Sequence, residues 1–225
     1  MKKLTLIAAM SALAFGAFAQ GTIVANNSGT TLFQTNGAAA GGAVGSFYFA
    51  LLTGGEYTGS NPSTQLSSLL STWTFTGVIG TNTATAGRLS SGSGLGVTML
   101  SQANWPVYQT NSFIEIGWSS SLGTSFSAIS SNIVFAVANG NVWSTAGFFG
   151  ISAVGDQTAG GTDPNTLATV PAPNIFGAAA NGVGGINQIQ GGGFNMLAVT
   201  ATPEPGTLAL AALGGASLLM FRRKK

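Results

Sequence analysis

The stretch Phe113-Ile114-Glu115-Ile116-Gly117-Trp118 decides how this chain is read. Ile114, Ile116 and Trp118 recur at every second position, the period of a β-strand, while Glu115 points to the other, polar face. Further short runs lie on either side: Thr22–Ala25, Thr31–Gln34, Ser46–Thr53, Thr74–Ile79, Ile133–Ala138, Gly147–Ile151 and Phe194–Thr200. They are rich in Val, Ile, Phe and Thr and are separated by Gly, Asn and Ser, the composition of strands and turns. Phe47-Tyr48-Phe49 and Ile133-Val134-Phe135 are apolar at every position, which predicts central strands covered on both faces. Asn139-Gly140 precedes a segment with Val142 and Trp143 and predicts a hairpin, since a type I′ turn takes two residues tolerant of positive φ. One short helix is expected where Asn61 can cap, Pro62 fits the first turn, and Leu66, Leu69, Leu70 and Trp73 share a face. Ala153–Asn174 and Gly177–Gly193 read as loops. The pattern predicts an all-β fold, a single β-sandwich or jelly-roll-like domain with one short helix.

Both flanks of this domain have a different character. Lys2-Lys3, the apolar run Leu4–Phe18 and the small-x-small triplet Ala17-Phe18-Ala19 before Gln20 form a secretory signal peptide, expected to span 1–19. At the other end Pro203-Glu204-Pro205-Gly206 leads into apolar residues 207–221 and then Arg222-Arg223-Lys224-Lys225. The two prolines hold the spacer extended. As a helix, Leu208–Phe221 reaches roughly 22 Å, short of the roughly 30 Å hydrocarbon core of a bilayer. The four cations act as a membrane stop.

These C-terminal features resemble the PEP-CTERM sorting signal of Gram-negative bacteria. The resemblance implies recognition by an exosortase after Sec-dependent export and transient membrane contact through residues 207–221. It also implies an inner-membrane intermediate, then a place at the surface or outside an exopolysaccharide-producing cell. The expected organisation is a signal peptide at 1–19, a secreted β-rich domain at 20–202 and a sorting signal at 203–225.

Six of the seven cations belong to the two targeting ends. Between Gln20 and Thr202 only Arg88 faces four anions, Glu56, Glu115, Asp156 and Asp163. Nucleic-acid binding needs clustered Lys and Arg to displace counterions, so that class is excluded. The whole chain is 5% charged, against roughly 25% in ordinary soluble domains. Solubility rests on Ser, Thr, Asn and Gln.

The chain has no His and no Cys, and the central part has no Lys. Histidine and cysteine catalysis, the usual zinc and haem ligand sets, and Schiff-base chemistry are therefore excluded. Carboxylates remain. Glu56 and Glu115 are the only pair of glutamates available to a two-carboxylate glycosidase, though two solvated side chains is the plainer reading. Asp156, Asp163 and Asn165 share one Gly-containing loop and offer oxygens to Ca²⁺, but Asx residues more often shape turns. Trp105 and Tyr108 form the most loop-like aromatic group and are the candidates for glycan contact, with core packing as the commoner use of a Trp. The expectation is a non-enzymatic surface or extracellular-matrix structural protein without a cofactor, associated with biofilm exopolysaccharide and capable of self-association. A lectin-like module is the alternative, and a glycosidase ranks last.

Overall fold

A computed structural model describes residues 21–54, 66–90, 105–163, 166–177, 188–189, 194–201 and 213–214. The signal peptide, Glu56, Asn61, Pro62, Asn165 and the sorting residues Pro203, Glu204, Pro205 and Arg222–Lys225 lie outside them.

Among the described residues the domain is all-β, as expected, with two short α-helices. The strands are β1 (Gln34–Thr35), β2 (Ala38–Ala39), β3 (Phe47–Thr53), β4 (Thr74–Asn82), β5 (Leu89–Ser90), β6 (Thr110–Ser119), β7 (Gly147–Ile151), β8 (Gly155–Thr158), β9 (Gly161–Thr162), β10 (Thr169–Val170) and β11 (Asn195–Val199). Helix α1 (Leu66–Thr72) precedes β4, and α2 (Phe126–Ala138) follows β6. One sheet runs β2-β1-β11-β7-β6-β3-β4-β5, with β8 continuing the β7 edge of β6, and β9–β10 is a separate hairpin.

The sheet curls until its ends meet. Phe33 N–H donates to Gly87 O (3.0 Å), and Gly87 N–H donates to Ala40 O (2.7 Å), joining the β1–β2 end to the β4–β5 turn. Buried Asn27 completes the seam: its amide donates to Gly87 O and Thr31 O, and its Oδ1 accepts from Leu89 N–H. Every polar atom of that side chain is matched, which burial demands.

Two apolar clusters lie on opposite faces of the curl. Inside are Phe33, Phe47, Phe49, Leu51, Phe113, Phe194 and Met196, closed over by the irregular segments that carry Ile23, Trp105, Ile175 and Phe176. Outside, Leu52, Ile114, Ile116, Trp118 and Phe149 are covered by Leu69 and Trp73 of the α1 region and by Ile129, Ile133 and Ala136 of α2. Packing is tight enough to exclude a methyl group at some positions. A Cβ at Gly150 would stand 2.5 Å from Asn195 O and 2.8 Å from Met196 Cα, so glycine is what lets β11 close on β7.

The central strands agree with the sequence pattern, and the differences have physical reasons. Ile133–Ala138 is the last half of α2, not a strand. Ser125 caps that helix by accepting from Ala128 N–H (3.2 Å), and Ile129, Ile133 and Ala136 then fall on one buried stripe. Asn139-Gly140 therefore ends a helix instead of turning a hairpin. Gly140 and Asn141 both have positive φ (68° and 67°), and Asn141 N–H returns to Ala136 O at 2.7 Å. Thr22–Val24 is extended but makes only isolated bridges, to Gly160 and Asn174. The expected loop Ala153–Asn174 contains β8 and the β9–β10 hairpin.

Candidate functional site

β6 places Glu115 on the inward face between Phe113 and Gly117, opposite Leu51 of β3. The carboxyl is buried, with 3% of the residue exposed, and its Oε2 makes no hydrogen bond. Only the backbone around it is paired: Glu115 N–H donates to Ser152 Oγ (2.9 Å), and Ser152 N–H donates to Glu115 O (2.8 Å). Ser152 thus repairs the ladder where the edge breaks between β7 and β8. Burial disfavours the carboxylate and pushes the Glu115 pKa up to about 8, so the group is protonated at neutral pH. This corrects the solvated reading. The alternation places the side chain correctly, but the face it points to is closed by Ile23, Trp105 and Ile175, residues distant in sequence. A carboxyl walled in this way does not face a substrate cleft.

Trp105 is likewise interior. It is fully buried, stacks on Phe113 with ring centroids 6.1 Å apart, and donates from Nε1 to Gln109 O (3.0 Å). It is not available to stack on a sugar ring. Its neighbour Tyr108 is exposed and sits at φ 63°, a conformation unusual for a bulky residue. Leu167, which leads into β10, is 75% exposed at φ 57°, and Tyr108 Oη reaches toward Ala168 O (3.5 Å). Tyr108 and Leu167 thus expose apolar surface at the tip of the β9–β10 hairpin, and Val170 is exposed at its other end, opposite Gly161. The sequence holds no local signal for this tip, because positive φ at Tyr or Leu is set by the surrounding chain.

The two described aspartates have separate structural partners. Asp156 on β8 accepts from Ser112 Oγ (2.6 Å). Asp163 shapes the hairpin loop: its N–H donates to Ala168 O, and its carbonyl accepts from Leu167 N–H. Among the described residues no group of three Asp, Glu, His or Cys is placed to hold a metal ion.

The two ends of the domain leave from different faces. Gly21 follows directly on the expected cleavage position at Gln20 and is already buried, donating to Trp105 O at 3.0 Å. Ile23 next to it belongs to the inner cluster. At the other end Ala201 bridges in parallel to Trp143, whose ring packs on Phe149 (4.9 Å) in the outer cluster. The sorting segment thus departs beside the C-terminal end of α2. No helix among the described residues is long and apolar enough to cross a membrane.

A second surface feature belongs to α2 itself. Its buried stripe is apolar, yet Val134 (60% exposed), Phe135 and Val137 project outward from its last two turns, where a surface helix ordinarily carries polar residues.

Residues 201–224 match the PEP-CTERM protein-sorting motif. No curated protein and no solved structure matches the chain. The match is to the short C-terminal stretch that begins where Ala201 leaves the sheet, and it implies transit through the membrane toward the cell surface. The chain carries a PEP-CTERM motif and is an exported protein sorted by an exosortase.

Proposed function

We propose that the exported domain is a structural component of the cell surface or extracellular matrix, in a biofilm or exopolysaccharide setting, and that it acts by self-association. The observation that carries this reading is the surface of the domain. Among the described residues only Arg88, Asp156 and Asp163 bring charge near the solvent, because Glu115 is buried and neutral. Charge is the usual guard against edge-to-edge pairing of strands. Here β10 is exposed and, among the described residues, pairs only with β9; Leu167 is exposed in the turn before it and Val170 within it. Sedimentation of the full chain after removal of its two targeting ends tests the reading. Assembly that grows with concentration and weakens in Leu167→Lys/Val170→Lys supports it; a strict monomer at high concentration contradicts it.

A lectin-like role is the second reading, favoured by the exposed ring of Tyr108 on its constrained turn. It predicts binding to exopolysaccharide that Tyr108→Ala abolishes. A two-carboxylate glycosidase has the least support, since Glu115 is interior.

A further inference from the structure

We propose that the exposed apolar end of α2 rests on the lipid bilayer while the sorting segment is still attached, seating the domain on the membrane in one orientation. Val134, Phe135 and Val137 expose apolar surface on the last two turns of this helix. Leu197, 58% exposed, is on the same face of the sheet: it stands opposite Phe149 of β7, and Phe149 packs on Trp143. Surface of this kind, clustered on one side of a domain, marks a contact with something apolar.

The occupant follows from where the chain leads. Ala201 is held against Trp143, five residues beyond the end of α2. From there six residues, 202–207, precede the uncharged run 208–221. Fully extended, those six span at most about 21 Å. A bilayer that takes up the run is thereby held close to the face that carries α2. Leu213 within that run is helical and 68% exposed. The N-terminal segment, packed on the inner cluster, is on the opposite face and stays clear of the membrane. α2 carries no charged residue, so the contact is apolar and does not depend on anionic lipid. Membrane seating rests on the sorting motif and the exposed end of α2, and stands or falls separately from matrix assembly.

The chain lacks cysteine, so one introduced thiol gives one labelled site. Full chain with Val134→Cys or Thr166→Cys, each carrying an environment-sensitive dye, is reconstituted into phosphatidylcholine vesicles with and without phosphatidylglycerol. Brominated lipid should quench the label at 134 several-fold more than the label at 166, equally in both vesicle types and at low and high salt. In Val134→Ser/Phe135→Ser/Val137→Ser the chain should still float with vesicles, while a dye at Ser131→Cys becomes open to iodide. Equal quenching at 134 and 166 overturns the proposal. So does shielding of 134 without vesicles, which would mean that the chain's own tail covers α2. Shielding that tracks dye-to-dye energy transfer and ignores brominated lipid would assign the face to a second copy and also overturn it.

Discussion

The two faces of β6 are built from alternate residues of one strand, yet they are closed in different ways. Outward, Ile114, Ile116 and Trp118 meet two regular helices. Inward, Phe113 stacks on Trp105 and Gly117 lies against Phe49, Phe194 and Met196, in a cluster that also takes in Ile23 and Ile175 from irregular extended segments. A helix covers a sheet with a continuous apolar stripe, and among the described residues no carboxyl is buried in the cluster beneath α1 and α2. Irregular chain covers with scattered side chains and leaves a carboxyl among them. The comparison shows that a carboxylate's place in a strand pattern says which way it points, whereas its environment depends on what long-range contacts bring over it.

The sharpest way to break this comparison is to remove the anchor of each face in turn. Trp118 and Trp105 are both fully buried, and each donates its indole N–H to a backbone carbonyl, Gly123 O and Gln109 O respectively. Trp118→Ala and Trp105→Ala should each destabilise the domain by about 3–5 kcal/mol, read from denaturant unfolding. If Trp105→Ala cost far less, the irregular layer would be a loose cover and not a second core.

Glu115 gives the next largest effect. Its pKa is about 8 in the folded chain and 4.5 in the reference state, so between those values the folded state holds a proton that the unfolded state has lost. Stability should be full below pH 4.5, fall as pH rises and level off above about pH 8, with a slope approaching about 1.4 kcal/mol per pH unit. The drop from pH 4.5 to 7 is then roughly 3 kcal/mol. Glu115→Gln should flatten the profile over that window and unfold later than the parent at pH 7.5. A parent profile as flat as that of the variant would place Glu115 in water.

The smallest effect sharpens the assignment of 126–138 to a helix. Ser125→Ala removes the cap on Ala128 N–H and should cost about 1 kcal/mol, measured by thermal unfolding. A change within experimental error would weaken the capped-helix account.

How far the fold is legible in the sequence depends on how local its causes are. β6 and β7 can be read because alternation and turn residues lie within the segment. The sorting motif can be read for the same reason, since Pro203-Glu204-Pro205, the apolar run and the basic tail are contiguous. Ile133-Val134-Phe135 misleads because an apolar run suits a buried strand and a helix alike. The deciding features, Ser125 and the spacing of Ile129, Ile133 and Ala136, begin several residues upstream. The burial of Glu115 and Trp105 and the exposure of Tyr108 are set by Ile23, Ile175 and the β9–β10 hairpin, which the chain brings together only on folding.

Intact mass combined with cell fractionation, on the protein from its native host, tests the account most directly. Loss of residues 1–19 and of the basic tail Arg222–Lys225, with the domain recovered outside the cell, is the predicted result. A chain that keeps Arg222–Lys225 and stays in the inner membrane would contradict it.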